Sequence, residues 1–349
     1  MARRRVTIVD VAQRANVSKS AVSLAFNDSK KLSEATLQNI LRAAEELGYS
    51  QDPAARMLRT QRTDSLGLLL PQQLDKALEN PYYSQFLQGI GQVCQREGLT
   101  LLLVPPLRGS MLKAIPYAAV DGFIVSGLEY DRGEVMALRQ RGIPFVLVDS
   151  EWHAGVPSVD IDETDGTREL VDYLVRQGHR RIAFVVIETD TPGGYEHWRG
   201  PVQRRMQGAV ESLDAVGLTL TSPGITVVET PCTRAGGVAA FRTLWERPEP
   251  PTAMVAFSDI IAFGILDAAR EAGVDVPGQL SVSGFDDLAE ASWTTPSLTT
   301  IRQPIAAKGR LAAEYLVEAI TADTEPDSHQ QRLATALLLR DSTGPAPRG

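Results

Sequence analysis

Residues 7–27 (TIVDVAQRANVSKSAVSLAFN) constrain the fold of this chain more than any other stretch. Apolar residues recur at helical spacing on either side of a short polar break, which predicts two short amphipathic helices joined by a tight turn. Thr7 and Ser18 stand where helix N-caps are expected. The second helix then presents Lys19 and Ser20 outward from its first turn, as is typical of a helix that enters the major groove of DNA.

The charge distribution indicates where a nucleic acid would bind. The whole chain has a net charge of -8, yet residues 1–62 contain eleven Lys and Arg against six Asp and Glu, and the remainder contains 24 against 37. Surface that attracts phosphate is therefore confined to the N-terminal part. A basic terminus alone is weak evidence, but together with the two-helix motif it favours double-stranded DNA as a partner.

The N-terminal part is predicted to be an all-α domain over residues 1–49, followed by a linker. A third amphipathic helix is expected over 33–47, with Ser33 as its N-cap and Gly48 as its stop. Residues 50–62 are predicted to be a hinge, since the two turns of helix they can form are too few to be stable alone.

From residue 63 the chain alternates short apolar runs with helical segments. This alternation is typical of parallel sheets with helices on both faces, and the length suits a two-lobed core of two doubly wound sheets. Ligands of such folds bind at the carboxyl ends of the strands, here in a cleft between the lobes. The tail, 342–349, is predicted to be disordered. The apolar runs lie at 66–70, 99–104, 122–125, 145–148, 182–186, 225–228, 253–257 and 280–283.

Several protein classes are disfavoured. No apolar run spans a bilayer and no apolar signal core follows the basic start, so a cytoplasmic protein with no membrane partner is expected. Cys94 and Cys232 are interpreted as reduced thiols without metal-site company. Nucleophile-elbow, phosphate-loop and zinc-protease motifs are missing, so we expect no catalytic residue, metal or cofactor, and no enzyme. A solute-binding protein is the remaining alternative, and the basic head argues against it.

Short motifs follow one another in a definite order along nearly the whole chain. They are TIVDVA at 7–12, ARMLR at 55–59, NPYY at 80–83, GHRRI at 178–182, SVSGFDD at 281–287 and PSLTTI at 296–301. With these motifs the chain resembles the LacI/GalR (lactose-repressor, galactose-repressor) family of bacterial transcription regulators. Each motif is weak alone, whereas their shared order and spacing are specific.

The resemblance implies a helix-turn-helix head on a periplasmic-binding-protein-like core. It also implies a homodimeric repressor that binds a pseudo-palindromic operator, with its affinity controlled by a small-molecule effector such as a sugar, a nucleoside or a related metabolite. The core, residues 63–343, would also carry dimerisation. Its lobes are expected at about 63–162 with 295–322, and at about 163–294 with 323–341.

The resemblance also implies DNA contacts from the head and the hinge. Lys19 would meet a guanine edge, with a phosphate-only contact as the alternative. Leu24 stands where the family often has an arginine, so a bidentate guanine contact is absent. Leu58 matches a leucine wedge in the minor groove, with plain packing as the alternative. The candidate DNA contacts are Thr7, Ser18, Lys19, Ser20, Ser23, Leu24, Asn27, Ala55 and Leu58.

Effector contacts are implied in the cleft. Arg205 and Asp286 match a ligand-binding arginine and acid and are expected to face each other across the cleft, with a structural salt bridge or a helix cap as the alternative. Cys232 stands where several sugar-binding members have a stacking aromatic, which argues against a simple hexose. One of the two tyrosines is as easily a core residue. The candidate effector contacts are Tyr82, Tyr83, Asp149, Arg205, Ser258, Asp286 and Gln303.

Overall fold

The computed structural model describes residues 6–27, 29–50, 57, 60–189, 194–322 and 329–348. The chain divides into two compact units, Met1–Thr63 and Asp64–Gly349. Most of the predicted hinge, 50–62, lies outside the described residues. Within the described part, no helix combines the length and the apolar character that a bilayer crossing requires.

The first unit is a three-helix domain. Helices α1 (Ile8–Ala15), α2 (Lys19–Asn27) and α3 (Glu34–Leu47) agree with the predicted helices. Asn16 ends α1 in the left-handed conformation (φ 53°), which its short polar side chain tolerates, and the chain turns there toward α2. The three helices enclose one small apolar core formed by Val11, Ala12, Ala15, Val22, Ala25, Ile40, Ala43 and Ala44.

The second unit is built on two six-stranded sheets. Twelve strands are described: β1 (Ser65–Leu69), β2 (Thr100–Val104), β3 (Gly122–Ser126), β4 (Phe145–Val148), β5 (Ser158–Ile161), β6 (Ile182–Ile187), β7 (Ile225–Thr230), β8 (Ala253–Ala256), β9 (Ser281–Asp286), β10 (Thr299–Arg302), β11 (Gln330–Leu333) and β12 (Ala336–Leu338). The first lobe has the strand order β11-β5-β4-β3-β1-β2, and the second has β12-β10-β9-β8-β6-β7. Neighbouring strands are parallel, except that β12 runs antiparallel to β10. This confirms the predicted α/β core of two doubly wound sheets.

Helices cover both sheets. They are α4 (Leu74–Glu79), α5 (Pro81–Glu97), α6 (Met111–Ala114), α7 (Gly133–Gln140), α8 (Glu163–Arg176), α9 (Gly200–Asp214), α10 (Arg234–Trp245), α11 (Asp259–Glu271) and α12 (Ile305–Thr321). Helices α5 and α12 cross so closely that a Cβ atom on Gly89 would lie 1.9 Å from the carbonyl oxygen of Ala306. Glycine at this crossing is therefore a packing requirement.

The predicted lobe boundaries are wrong at two strands. Strand β10 was expected in the first lobe, but it pairs with β9 in the second. Strand β11 was expected in the second lobe, but it pairs with β5 in the first. The chain crosses between the lobes after β5, after β10 and after β11, and β11 (QQRL) carries too little apolar character for its sheet to be recognised from sequence.

The predicted disordered tail is also wrong, because residues 342–348 pack against the second lobe. Ser342 is fully buried, and its hydroxyl donates to the carbonyl oxygen of Val282 (2.6 Å) and accepts from the backbone N–H of Thr299 (2.8 Å). Gly344 places its carbonyl oxygen 3.1 Å from Nε2 of His179. Burial lowers the pKa of His179.

We expect the substitution Ser342→Ala to lower the free energy of unfolding by about 1–3 kcal/mol, because it leaves a buried N–H and a buried carbonyl without this partner. Urea denaturation of the full chain measures the effect. The control is Ser292→Ala, which removes an exposed hydroxyl bonded to the carbonyl of Ala289. Equal stability of the two variants would mean that the chain end is not anchored at Ser342.

Candidate functional site

The first turn of α2 is the exposed polar end of the small domain. Ser18 caps the helix, since its hydroxyl accepts from the backbone N–H of Ala21 (3.1 Å), and Lys19 and Ser20 are exposed beside it. Val22 lies on the opposite, fully buried face. The structure thus separates a polar outer face of α2 from an apolar inner face, as the sequence predicts.

The other candidate DNA contacts differ in placement. Thr7 is exposed, but its backbone N–H and its hydroxyl both donate to the carboxylate of Asp10 (2.8 and 2.7 Å). Ser23 and Leu24 are half-buried. Asn27 ends α2, and nothing is described of its side chain. Ala55 and Leu58 lie outside the described residues.

The second unit contains a cleft of about 480 Å³ between its lobes, at the carboxyl ends of the strands. All seven candidate effector contacts lie on its walls, so the structure brings together residues that are up to 221 positions apart. These residues are Tyr82, Tyr83, Asp149, Arg205, Ser258, Asp286 and Gln303. Their role in binding stays a prediction.

Arg205 and Asp286 do not face each other across the cleft, contrary to expectation, because both belong to the second lobe. Arg205 extends from α9 with its guanidinium 3.7 Å over the ring of Phe285, and it donates to the carbonyl oxygen of Phe257. Its Nε is buried and has no hydrogen-bond partner in the described structure.

Asp286 belongs to the polar wall that the second lobe contributes to the cleft. Its carboxylate accepts from Ser258 Oγ (2.7 Å) and from Gln303 Nε2 (2.5 Å). Burial raises the pKa of Asp286, and the nearby Arg205 opposes that rise. Asp286 has a φ of 134°, which is costly for a residue other than glycine and is typical of functional sites.

The first lobe's wall is organised by Lys308, which the sequence analysis missed. Lys308 is fully buried, and its Nζ donates to both carboxylate oxygens of Asp149 (2.8 and 2.6 Å) and to Oε1 of Gln303 (2.5 Å). Tyr82 also donates to Asp149, at 3.1 Å. A signal was available: with Ile305 and Ala312, Lys308 falls on the apolar stripe of α12, where a lysine needs a buried partner.

Tyr82 and Tyr83 line the cleft and also pack against the hydrophobic core. Tyr82 lies parallel to the buried ring of Phe86, with 6.0 Å between ring centroids, and contacts Tyr83 edge to face at 5.4 Å. Burial raises the pKa of both phenols, so both are neutral donors at neutral pH. The alternatives of ligand contact and core packing are therefore not exclusive here.

Cys232 occupies the second lobe's wall opposite Asn80, whose Nδ2 lies 3.7 Å from its Sγ. Burial, helped by Asp286, raises the pKa of the Cys232 thiol to about 11, so it is protonated at neutral pH. In the described ranges, no three His, Cys, Asp or Glu side chains are grouped so as to hold a metal ion.

Two family models match the chain. Residues 7–52 match the bacterial regulatory proteins of the lacI family, and residues 171–343 match the periplasmic binding protein-like domain. The transcriptional regulator CelR of Thermobifida fusca is 33% identical over 353 residues, which cover 97% of this chain and 99% of CelR. The transcriptional repressor PurR of Pectobacterium carotovorum subsp. carotovorum is 31% identical over 349 residues, 98% of each chain.

A solved structure adds the fold comparison. The transcriptional regulator CelR–cellobiose complex has a TM-score of 0.70 and 30% identity, and the match covers 97% of this chain and 100% of that one. The helix-turn-helix head, the two-lobed core and the similarity to these regulators together define the class of protein. It is a bacterial transcriptional regulator and not an enzyme. The chain belongs to the LacI family.

We expect Lys308→Met to lower the free energy of unfolding by about 3–5 kcal/mol, because it leaves the carboxylate of Asp149 buried without its cation. Lys76→Met is the matched control: it breaks an exposed pair with Glu79 (3.1 Å) and should cost less than about 1 kcal/mol. Guanidinium denaturation measures both. Adding Asp149→Asn to Lys308→Met should restore part of the loss, and a single variant no less stable than the control would refute the buried pair.

Proposed function

We propose that this protein is a repressor that binds an operator through α2, and that its affinity for the operator changes when a small molecule occupies the cleft. The observation that carries the proposal is the cleft itself. A buried cationic surface on Arg205, with an unpartnered Nε, lies in the same wall as the buried carboxylate of Asp286. Such walls suit a ligand that offers acceptors and donors side by side.

A sugar is the effector class that we favour. Vicinal hydroxyl groups offer donors to Asp286 and acceptors to Arg205, and neither role requires a charged ligand. The relative whose structure contains cellobiose matches this chain over nearly its whole length. A nucleoside presents a comparable edge of donors and acceptors and is the second candidate.

The DNA contact is proposed for the exposed first turn of α2. Lys19 is exposed there, next to the capping hydroxyl of Ser18, and backbone N–H groups at the start of a helix suit a phosphate. One such helix reads one half-site, so we infer a homodimer on a pseudo-palindromic operator. Ala55 and Leu58 of the hinge are proposed to reach the minor groove, with Leu58 as the wedge.

The proposed control is linkage between the two sites. A ligand that binds one arrangement of the lobes better than another shifts the population toward that arrangement. The hinge is the marginal element that such a shift would order or release.

Selection of duplexes from a random pool by the full chain, at one salt concentration, tests the DNA proposal. Enrichment of a pseudo-palindrome is expected. Recovery of an asymmetric site would contradict the paired helices, and no enrichment would contradict DNA binding by the head.

On the selected operator, Lys19→Ala should weaken binding by roughly tenfold to a hundredfold and relax the preference at one base position in each half-site. Fluorescence anisotropy with base-substituted operators measures this. The control Arg42→Ala removes an equal charge from the exposed face of α3. Equal weakening on every sequence, with a shallower salt dependence, would assign Lys19 to a phosphate instead.

For the cleft, calorimetric titration with cellobiose, glucose and adenosine identifies the effector class. We expect a sugar to bind, and Arg205→Lys to weaken that binding at least tenfold, because lysine lacks the planar fork that stacks on Phe285. Arg168→Lys, on the exposed face of α8, should bind like the wild type. Binding of adenosine alone would replace the sugar by a nucleoside, and unaltered affinity of Arg205→Lys would remove Arg205 from the site.

A further inference from the structure

Arg204, the residue before Arg205 on α9, joins the two lobes through its guanidinium group. Its Nη1 donates to Oε1 of Glu129 at 3.0 Å, and its Nη2 donates to the backbone carbonyl of Asp149 at 2.8 Å. Both of these partners follow strands of the first lobe, whereas α9 belongs to the second lobe. The remaining donor, Nε, binds Oε2 of Glu163 at 2.9 Å within the second lobe.

The acceptors of Arg204 are buried and held in place. Glu129 is 7% exposed and Glu163 is 1% exposed. The second carboxylate oxygen of Glu129 accepts from the backbone N–H of Glu151 (2.6 Å) and from Ser150 Oγ (3.1 Å). Charge-assisted hydrogen bonds between groups so positioned are short, directional and little screened by salt.

Two of the residues bonded to Arg204 line the cleft, and both belong to the first lobe. Glu129 lines the cleft directly. Asp149 offers its main-chain carbonyl to Arg204, while its side chain is held by Lys308 and Tyr82 on the cleft wall. Arg205, which carries the proposed effector contact, is the next residue of the same helix. Separation of the lobes must break the bonds from Arg204 to Glu129 and to the carbonyl of Asp149.

We propose that Arg204 is an interlobe latch that holds the two lobes together across the cleft. The consequence for effector control, through the neighbouring Arg205, rests on the proposed function, but the latch itself is a property of the core alone. Without the guanidinium, two buried carboxylates lose their cation, and separation of the lobes gives Glu129 access to water.

The two cysteines report on opening without any ligand or DNA. Cys232 is partly exposed on the second lobe's cleft wall, and Asn80 of the first lobe lies against its Sγ at 3.7 Å. Cys94 is buried within the first lobe's core on α5 and has no part in the cleft. Opening of the lobes moves Asn80 away and increases the exposure of Cys232 alone, whereas global unfolding increases the exposure of both thiols.

The experiment is alkylation of the full chain by N-ethylmaleimide, with each cysteine quantified by peptide mass spectrometry over time. In Arg204→Gln we expect Cys232 to react roughly tenfold faster or more than in the wild type, with the Cys94 rate unchanged. Glu129→Gln should act in the same direction. The matched control is Arg168→Gln, which breaks pairs with Glu211 and Asp165 inside the second lobe and should leave both rates unchanged.

Wild-type reactivity of Cys232 in both Arg204→Gln and Glu129→Gln would overturn the latch. If Arg204→Gln accelerates both thiols equally, it has unfolded the core, and Glu129→Gln then decides, because it leaves the pair between Arg204 and Glu163 intact. Since the assay contains neither operator nor sugar, failure of the proposed function would leave its result unchanged. A positive result here likewise leaves the identity of the effector open to the calorimetric test.

Discussion

Parallel strands place all their carboxyl ends along one edge of a sheet, and in this core two such edges border one cleft. Three of the polar residues on the cleft walls follow from that constraint. Asp149 comes directly after β4, Ser258 comes two residues after β8, and Asp286 is the last residue of β9. Because the chain crosses between the lobes three times, the two edges are tied together, and residues distant in sequence meet over one small volume.

This arrangement buries charged side chains, and the two lobes compensate for that burial in different ways. In the first lobe, Lys308 and Asp149 satisfy one another almost completely. In the second lobe, Asp286 has two neutral donors, while Arg205 keeps one donor unused. Arg204 spans the boundary between them. The wall with the unsatisfied donor is the wall where a ligand would gain most, since a buried donor without a partner is costly until something supplies an acceptor.

Much of the architecture could be predicted from local pattern. Helices α1 to α3 and eight strands agree with the predicted segments, because periodic apolar residues and caps act within a few residues of one another. Three of the missed strands could not be recognised from their own residues. The buried strand β5 (SVDI) carries two polar residues, and β10 (TTIR) and β11 (QQRL) are mostly polar, so pairing with a neighbour decides their place rather than their own hydrophobicity. The end of the chain was misjudged for the same reason: the partners of Ser342 lie 43 and 60 residues away.

The chain alone is enough to establish the class of protein, the polar outer turn of α2 and seven of the residues that line the cleft, since motif order and spacing need no structure to be read. The folded core is what places Arg205 and Asp286 in one lobe, pairs Lys308 with Asp149, and lets Arg204 join the lobes. Those facts depend on which strand ends lie side by side and on which charges are removed from water together. Both are set by long-range packing, and no window of sequence contains them.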